Sequence, residues 1–151
     1  LSERARDSRR SIGFARALQG VSRHGSFSMG KLTAAEGIIS QAGAVPFRRL
    51  DDGSVEVLLI TNSNGKWIVP KGGIDEGHTP RQTAHIECME EAGVRGVLLN
   101  SELGHYSYEK ADGAHRVQLF ALRVTEVLSI WPENKRRKRQ FGKIGCCKPR
   151  K

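Results

Sequence analysis

Residues 72–94 read GGIDEGHTPRQTAHIECMEEAGV, and the fold is decided in this stretch. Pro80 can open a helix, since a proline at the first helical position gives up no needed hydrogen bond, and Thr79 stands where a capping side chain belongs. Gly93 closes it. The spacing therefore predicts a helix over 80–92, with Ala84, Cys88 and Ala92 at i, i+4 and i+8 forming one apolar stripe that can press on a sheet. Glu87, Glu90 and Glu91 stand at i, i+3 and i+4, so the same helix carries three carboxylates on one side. Like charges at these spacings destabilise a bare helix by about 0.2–0.5 kcal/mol per pair, and something must compensate. A hard divalent cation such as Mg²⁺ or Mn²⁺ does so, because it prefers carboxylate oxygens and can bridge to phosphates. Taken alone, the three glutamates read equally as a solvated acidic face. Immediately before the helix, Pro70-Lys71-Gly72-Gly73 is predicted to be a loop, whose small residues let backbone amides approach an anion while Lys71 adds positive charge.

Working outward, Ile39 to Arg48 reads as a strand ended by Asp51-Asp52-Gly53, where Asp-Gly supplies a turn. Val55 to Thr61 is a second strand, and its continuous run Val57-Leu58-Leu59-Ile60 is the pattern expected of a buried one. After the turn Asn62-Ser63-Asn64-Gly65, Trp67-Ile68-Val69 forms a short strand closed by Pro70. Beyond the helix, Val97 to Leu99, Gly104 to Tyr108 and Val117 to Val127 read as strands, the last two joined by Ala111-Asp112-Gly113. Near the end, Gln140 to Ile144 can add one more.

The 151 residues suffice for one domain with a core and are too few for two ordinary ones. The expected division is a basic leader over 1–37, a folded domain over 38–144, and a basic, cysteine-containing tail over 145–151. No apolar run approaches the roughly 18–20 residues needed to span a bilayer. The net charge of +9 is unevenly spread: residues 133–151 hold nine Lys or Arg against Glu133 alone, whereas residues 31–132 carry a slight acidic excess. Basic ends of this kind suit an anionic partner, whether a polyphosphate or a nucleic acid, and read equally as solvated tails. Without aromatic interleaving, base stacking by Lys135 to Arg139 has little support. Cys88, Cys146 and Cys147 cannot all pair within the chain, and the adjacent two lack the spacing of a zinc site. A reducing compartment follows, cytoplasmic or, given the basic run, nuclear. The Arg- and Ser-rich leader leaves mitochondrial targeting as a lesser alternative. Leu1 in place of Met is read as a start within a longer product or after processing.

On these residues the chain resembles the Nudix hydrolases. That family's helix signature, G-x5-E-x7-R-E-U-x-E-E-x-G-U with U apolar, aligns as Gly72, His78, Ile86, Glu87, Cys88, Glu90, Glu91, Gly93 and Val94. Two positions depart, His78 for the first Glu and Ile86 for the Arg. The resemblance implies an α/β/α sandwich around a mixed sheet, with a C-terminal helix of the relatives missing here after Phe141. It also implies metal-dependent cleavage of a diphosphate linkage, with Glu87, Glu90 and Glu91 as ligands of Mg²⁺ or Mn²⁺ and Glu90 or Glu91 as the catalytic carboxylate. In the family the missing Glu and Arg support the metal-binding carboxylates, and Ile86 cannot orient Glu87 by a salt bridge. Gln41 to Arg48, Trp67 to Gly73, His115-Arg116, Val124-Thr125-Glu126, Trp131-Pro132-Glu133 and Arg137-Lys138-Arg139 resemble the diphosphoinositol polyphosphate phosphohydrolase branch. That branch acts on diphosphoinositol polyphosphates and often on dinucleoside polyphosphates. Lys71, Gly72, Gly73, Arg116, Lys138 and Arg139 are the expected substrate contacts by position and charge. The alternative is a catalytically weak or silent module of the same fold that binds polyphosphate or RNA.

Overall fold

The computed structural model describes residues 37–145. Apart from Gly37 and Gly145, the expected leader and tail lie outside the described residues, as do Cys146 and Cys147. The described chain runs β1 (Ile39–Arg49), β2 (Val55–Thr61), β3 (Trp67–Ile68), β4 (Lys71–Gly73), α1 (Pro80–Ala92), β5 (Val94–Lys110), β6 (Gly113–Val127) and β7 (Arg139–Lys143). All seven strands join one mixed sheet in the order β3-β2-β1-β6-β5, with β4 added to β1 and β7 to β2. The β1–β6 pair is parallel, from Ile39 opposite His115 to Phe47 opposite Arg123, and every other pair is antiparallel.

The run Val57-Leu58-Leu59-Ile60 is buried at every position because β2 feeds both faces of the sheet. Leu58 and Ile60 join Ala44, Phe120 and Leu122 under the helix, together with Ala84, Cys88 and Ala92. Val57 and Leu59 join Val45, Val69, Val117 and Leu119 on the opposite face, with Phe47, Trp67, Tyr106 and Tyr108 packed around them. The apolar stripe of α1 is thus fully used. Its ends are those expected: Thr79 and Gln82 form a reciprocal capping box, and Gly93 turns left-handed at φ 63° while its N–H reaches the Met89 carbonyl at 3.1 Å.

Three expectations need correction. Residues 71–73 are not a loop but strand β4, with Lys71, Gly72 and Gly73 opposite Gly43, Ala42 and Gln41. Gly43 is what permits this, since a Cβ there would overlap the Pro70 carbonyl and Lys71. The preceding strand is correspondingly shorter than expected and stops at Ile68, leaving Val69 and Pro70 buried between strands. The two strands read at 97–99 and 104–108 are one long strand, β5, whose register against β6 shifts at Arg95/Gly96 and twice between Leu98 and Gly104. Bulges let a strand absorb residues that break its alternation, which is why the pattern looked interrupted. Among the described residues α1 is the only helix, so the α/β mixed sheet is as expected and the helical layer lies on one face.

Candidate functional site

Glu87 and Glu91 project from α1 toward β4, and the sheet is shaped around them. Gly72 lies directly beneath the Glu87 carboxylate, so any Cβ at 72 would occupy its place. The Lys71 N–H donates to Glu91 Oε2 at 3.2 Å, which ties strand to helix through a carboxylate that is nearly buried. Glu90 is exposed, and its backbone carbonyl accepts the Glu133 N–H at 3.1 Å. That bond brings the chain after β6 back over the helix end.

The returning segment supplies the cations. Arg137 donates from Nη2 to Glu91 Oε1 at 2.7 Å and from Nη1 to the Thr61 carbonyl at 2.9 Å, while its Nε is held by Glu133. Trp131 Nε1 donates to the Glu91 carbonyl at 3.2 Å. Arg139 lies over the Trp131 ring and donates to the carbonyls of Ala92, Gly93 and Leu128, closing the helix C-terminus where cations are favoured.

A cleft of about 540 Å³ opens beside this cluster, walled by Lys71, Lys110, Arg136 and Arg137 with Glu91 and Tyr108. Gln41, Asn62 and Ser63 add polar groups to its lining. Lys71 Nζ donates to the Tyr108 hydroxyl at 2.8 Å, and that hydroxyl donates to Gln41 Oε1 at 2.7 Å. Tyr108 is braced in turn by stacking on His115, itself bonded to Asp112.

The electrostatics are those of crowded carboxylates. Burial, reinforced by the charges of Glu91, Glu90 and Glu133, pushes the Glu87 carboxyl up to about 7. Burial raises Glu91 as well, with Arg137 and the Lys71 N–H opposing it. An all-carboxylate donor set fits a hard divalent cation, and Glu87 is where added positive charge would relieve most repulsion. Among the described residues no three His, Cys, Asp or Glu side chains converge as a ready coordination shell. Glu91 has one oxygen bonded to the Lys71 N–H and the other to Arg137, and Glu90 is exposed.

Of the residues singled out in the sequence, Lys71, Gly72, Glu87 and Glu91 come together here. Gly73 pairs with Gln41 at the far end of β4. Arg116 is exposed on β6 between Ser40 and Ser107 and does not line the cleft. Lys138 is likewise exposed and outside it, its N–H spent on Thr61 Oγ1, and Arg139 is committed to the helix end. Sequence reading missed Gln41, Tyr108, Lys110, Glu133, Arg136 and Arg137. Gln41, Glu133 and Arg137 fell in segments that carry the family resemblance, and Arg136 and Arg137 in the basic run, but none was singled out as a site residue; Tyr108 and Lys110 carried no site signal.

Residues 40–140 match the NUDIX domain. The chain belongs to the Nudix family. Its Nudix domain is similar to that of Nudix hydrolase 16, mitochondrial, of Arabidopsis thaliana, at 36% identity over 66% of this chain and 65% of that protein. Diphosphoinositol polyphosphate phosphohydrolase 2 of Rattus norvegicus is 38% identical over 72% of this chain and 60% of its own length. The chain therefore spans about 60–65% of these relatives. In fold, the Nudix domain superimposes on a C. elegans Ap4A hydrolase seen as a binary complex, with a TM-score of 0.58 and 23% identity over 70% of this chain and 80% of that one. No helix among the described residues is long and apolar enough to cross a membrane.

Proposed function

We propose that this Nudix domain hydrolyses diphosphate linkages in a densely phosphorylated small molecule, a diphosphoinositol polyphosphate or a dinucleoside polyphosphate. The observation that carries the reading is the cleft in which Lys71, Lys110, Arg136 and Arg137 meet the helix carboxylate Glu91. Several cations around one opening suit an anion with phosphates on more than one side, and a small closed ligand fits the volume better than a nucleic-acid duplex. The named relatives support the same substrate class. Glu87, with Glu90 and Glu91, would hold Mg²⁺ or Mn²⁺, which when bound neutralises the diphosphate and lowers the pKa of a coordinated water. The chain's own part is to orient: Lys71 and Arg136 hold phosphate oxygens, Tyr108 and Gln41 fix the Lys71 ammonium, and β4 sets Glu91 through the Lys71 N–H. Gly72 keeps the Glu87 carboxylate against the strand.

A second reading, a silent module that only binds polyphosphate or RNA, is favoured by His78, by Ile86 and by the engagement of Glu91 with Arg137. One experiment separates the two. Purified protein with Mg²⁺ or Mn²⁺ is expected to release phosphate from a diphosphoinositol polyphosphate, and Glu87→Gln is expected to lower the rate by about 100-fold or more while leaving substrate affinity within a few fold. Binding of the substrate without release under either metal would establish the module instead.

A further inference from the structure

We propose that Arg137 is the built-in counter-ion of the acidic helix, occupying Glu91 in the absence of a divalent cation and displaced from it when one binds. The inference rests on the metal reading above and deepens it. Each nitrogen of the guanidinium bonds a partner from a different part of the chain: Glu91 on α1, Glu133 in the returning segment, and the Thr61 carbonyl at the end of β2. Its side chain is only 15% exposed and that of Glu91 10%, so the pair is shielded from water and each charge needs the other. No cation on α1 itself substitutes for it, since the last helical turn has no basic residue and position 86 is Ile.

The geometry also says which bond yields. Glu91 spends Oε2 on the Lys71 N–H, a backbone donor fixed inside a three-residue strand ladder, and Oε1 on Arg137. A dication at Glu91 is repelled by the charged guanidinium on Oε1 far more than by the neutral amide on Oε2, and the strand amide cannot withdraw without breaking β4 from β1. Arg137 can. It is a long side chain between Trp131 and β7, and when it swings away from Glu91 and the Thr61 carbonyl its charge still has Glu133, four residues back on the same segment, to hold it. Glu91 is thus preset in direction by its backbone bond and kept neutralised by a removable partner.

The test uses Mn²⁺ alone, without substrate. Binding is followed by the paramagnetic signal of free Mn²⁺ in the wild type and in Arg137→Gln, with thermal melting of both proteins. Removing a displaceable cation should tighten Mn²⁺ binding by about fivefold or more, since the ion no longer competes with a guanidinium for Glu91. It should also lower the melting temperature of the metal-free protein and enlarge the rise on adding Mn²⁺. Equal or weaker Mn²⁺ binding by a folded R137Q, with the wild type binding normally, overturns the counter-ion role alone and leaves Arg137 a brace. No Mn²⁺ binding by either protein overturns the metal reading and this inference together. Should R137Q fail to fold, a wild-type crystal soaked in Mn²⁺ decides. The 2.7 Å Glu91–Arg137 contact is expected to open beyond hydrogen-bond distance, and an intact pair beside a bound ion refutes displacement.

Discussion

At the scale of single residues, Glu87 concentrates the chemistry of the site. Its carboxyl lies on the backbone of Gly72 and near three other acids, so burial and repulsion raise it from the ordinary value of 4.5 to about 7. Between those two values the folded protein keeps a proton that the unfolded chain has released. Stability of the metal-free protein should therefore fall as pH rises through that window, the reverse of the usual salt-bridged carboxylate. Glu87→Gln, which carries the neutral form at every pH, is expected to flatten this loss between pH 5 and pH 7.5 in chemical denaturation. Added Mn²⁺ competes with the same proton, so its stabilising effect should grow over the same interval in the wild type. An unchanged pH slope in the variant would show that Glu87 is not the linked group. The presence of this carboxylate beside two others was legible from i, i+3, i+4 spacing. Its contact with Gly72 was not, because a pairing between residues 15 apart depends on β4 closing onto β1 at Gly43.

At the scale of elements, α1 was legible to the residue because its end signals are local: Thr79, Pro80 and Gly93 all act within one turn of the helix ends. The strands were less so. Val55–Thr61 could be read as it stands, whereas the break between Leu98 and Gly104 looked like a loop and proved to be bulges in one strand, which only the β6 partner reveals. The tail of the domain was the least legible, since Arg139 sits in a run of five basic residues that reads as a polyanion site. Its guanidinium instead caps α1 through the carbonyls of Ala92 and Gly93, reaches Leu128, and stacks on Trp131. Arg139→Ala removes charge-assisted bonds to partly buried carbonyls and is expected to destabilise the fold by about 2 kcal/mol, seen as a lower melting temperature. Affinity for a polyphosphate should hold within about twofold once the variant is measured below its transition. A variant that melts like the wild type but binds poorly would return Arg139 to the substrate contacts expected from sequence.

At the scale of the whole molecule, charges separated along the chain meet in the fold. The slightly acidic middle supplies the helix carboxylates, and the basic end folds back so that Arg137 neutralises them from one side while Arg136 stands at the cleft mouth, three-quarters exposed. Net charge could not show this, because +9 says nothing of which cations surround a cavity and which face open water. Arg136 and Arg116 make the distinction testable, since both are exposed arginines but only Arg136 lines the cleft. Binding of a diphosphoinositol polyphosphate by the wild type should weaken steeply with added salt, as expected when several cations converge on one anion. Arg136→Ala is expected to reduce affinity several-fold at low salt and to make that dependence shallower, because one converging charge is gone. Arg116→Ala removes the same formal charge at a distance and should leave affinity and salt dependence close to wild type. Equal losses in the two variants would mean that the ligand senses the overall charge rather than the cleft, and would place the anion on the basic surface at large. A larger loss in Arg116→Ala would move the binding site to the β5–β6 end of the sheet, where the sequence motif around His115 had suggested it.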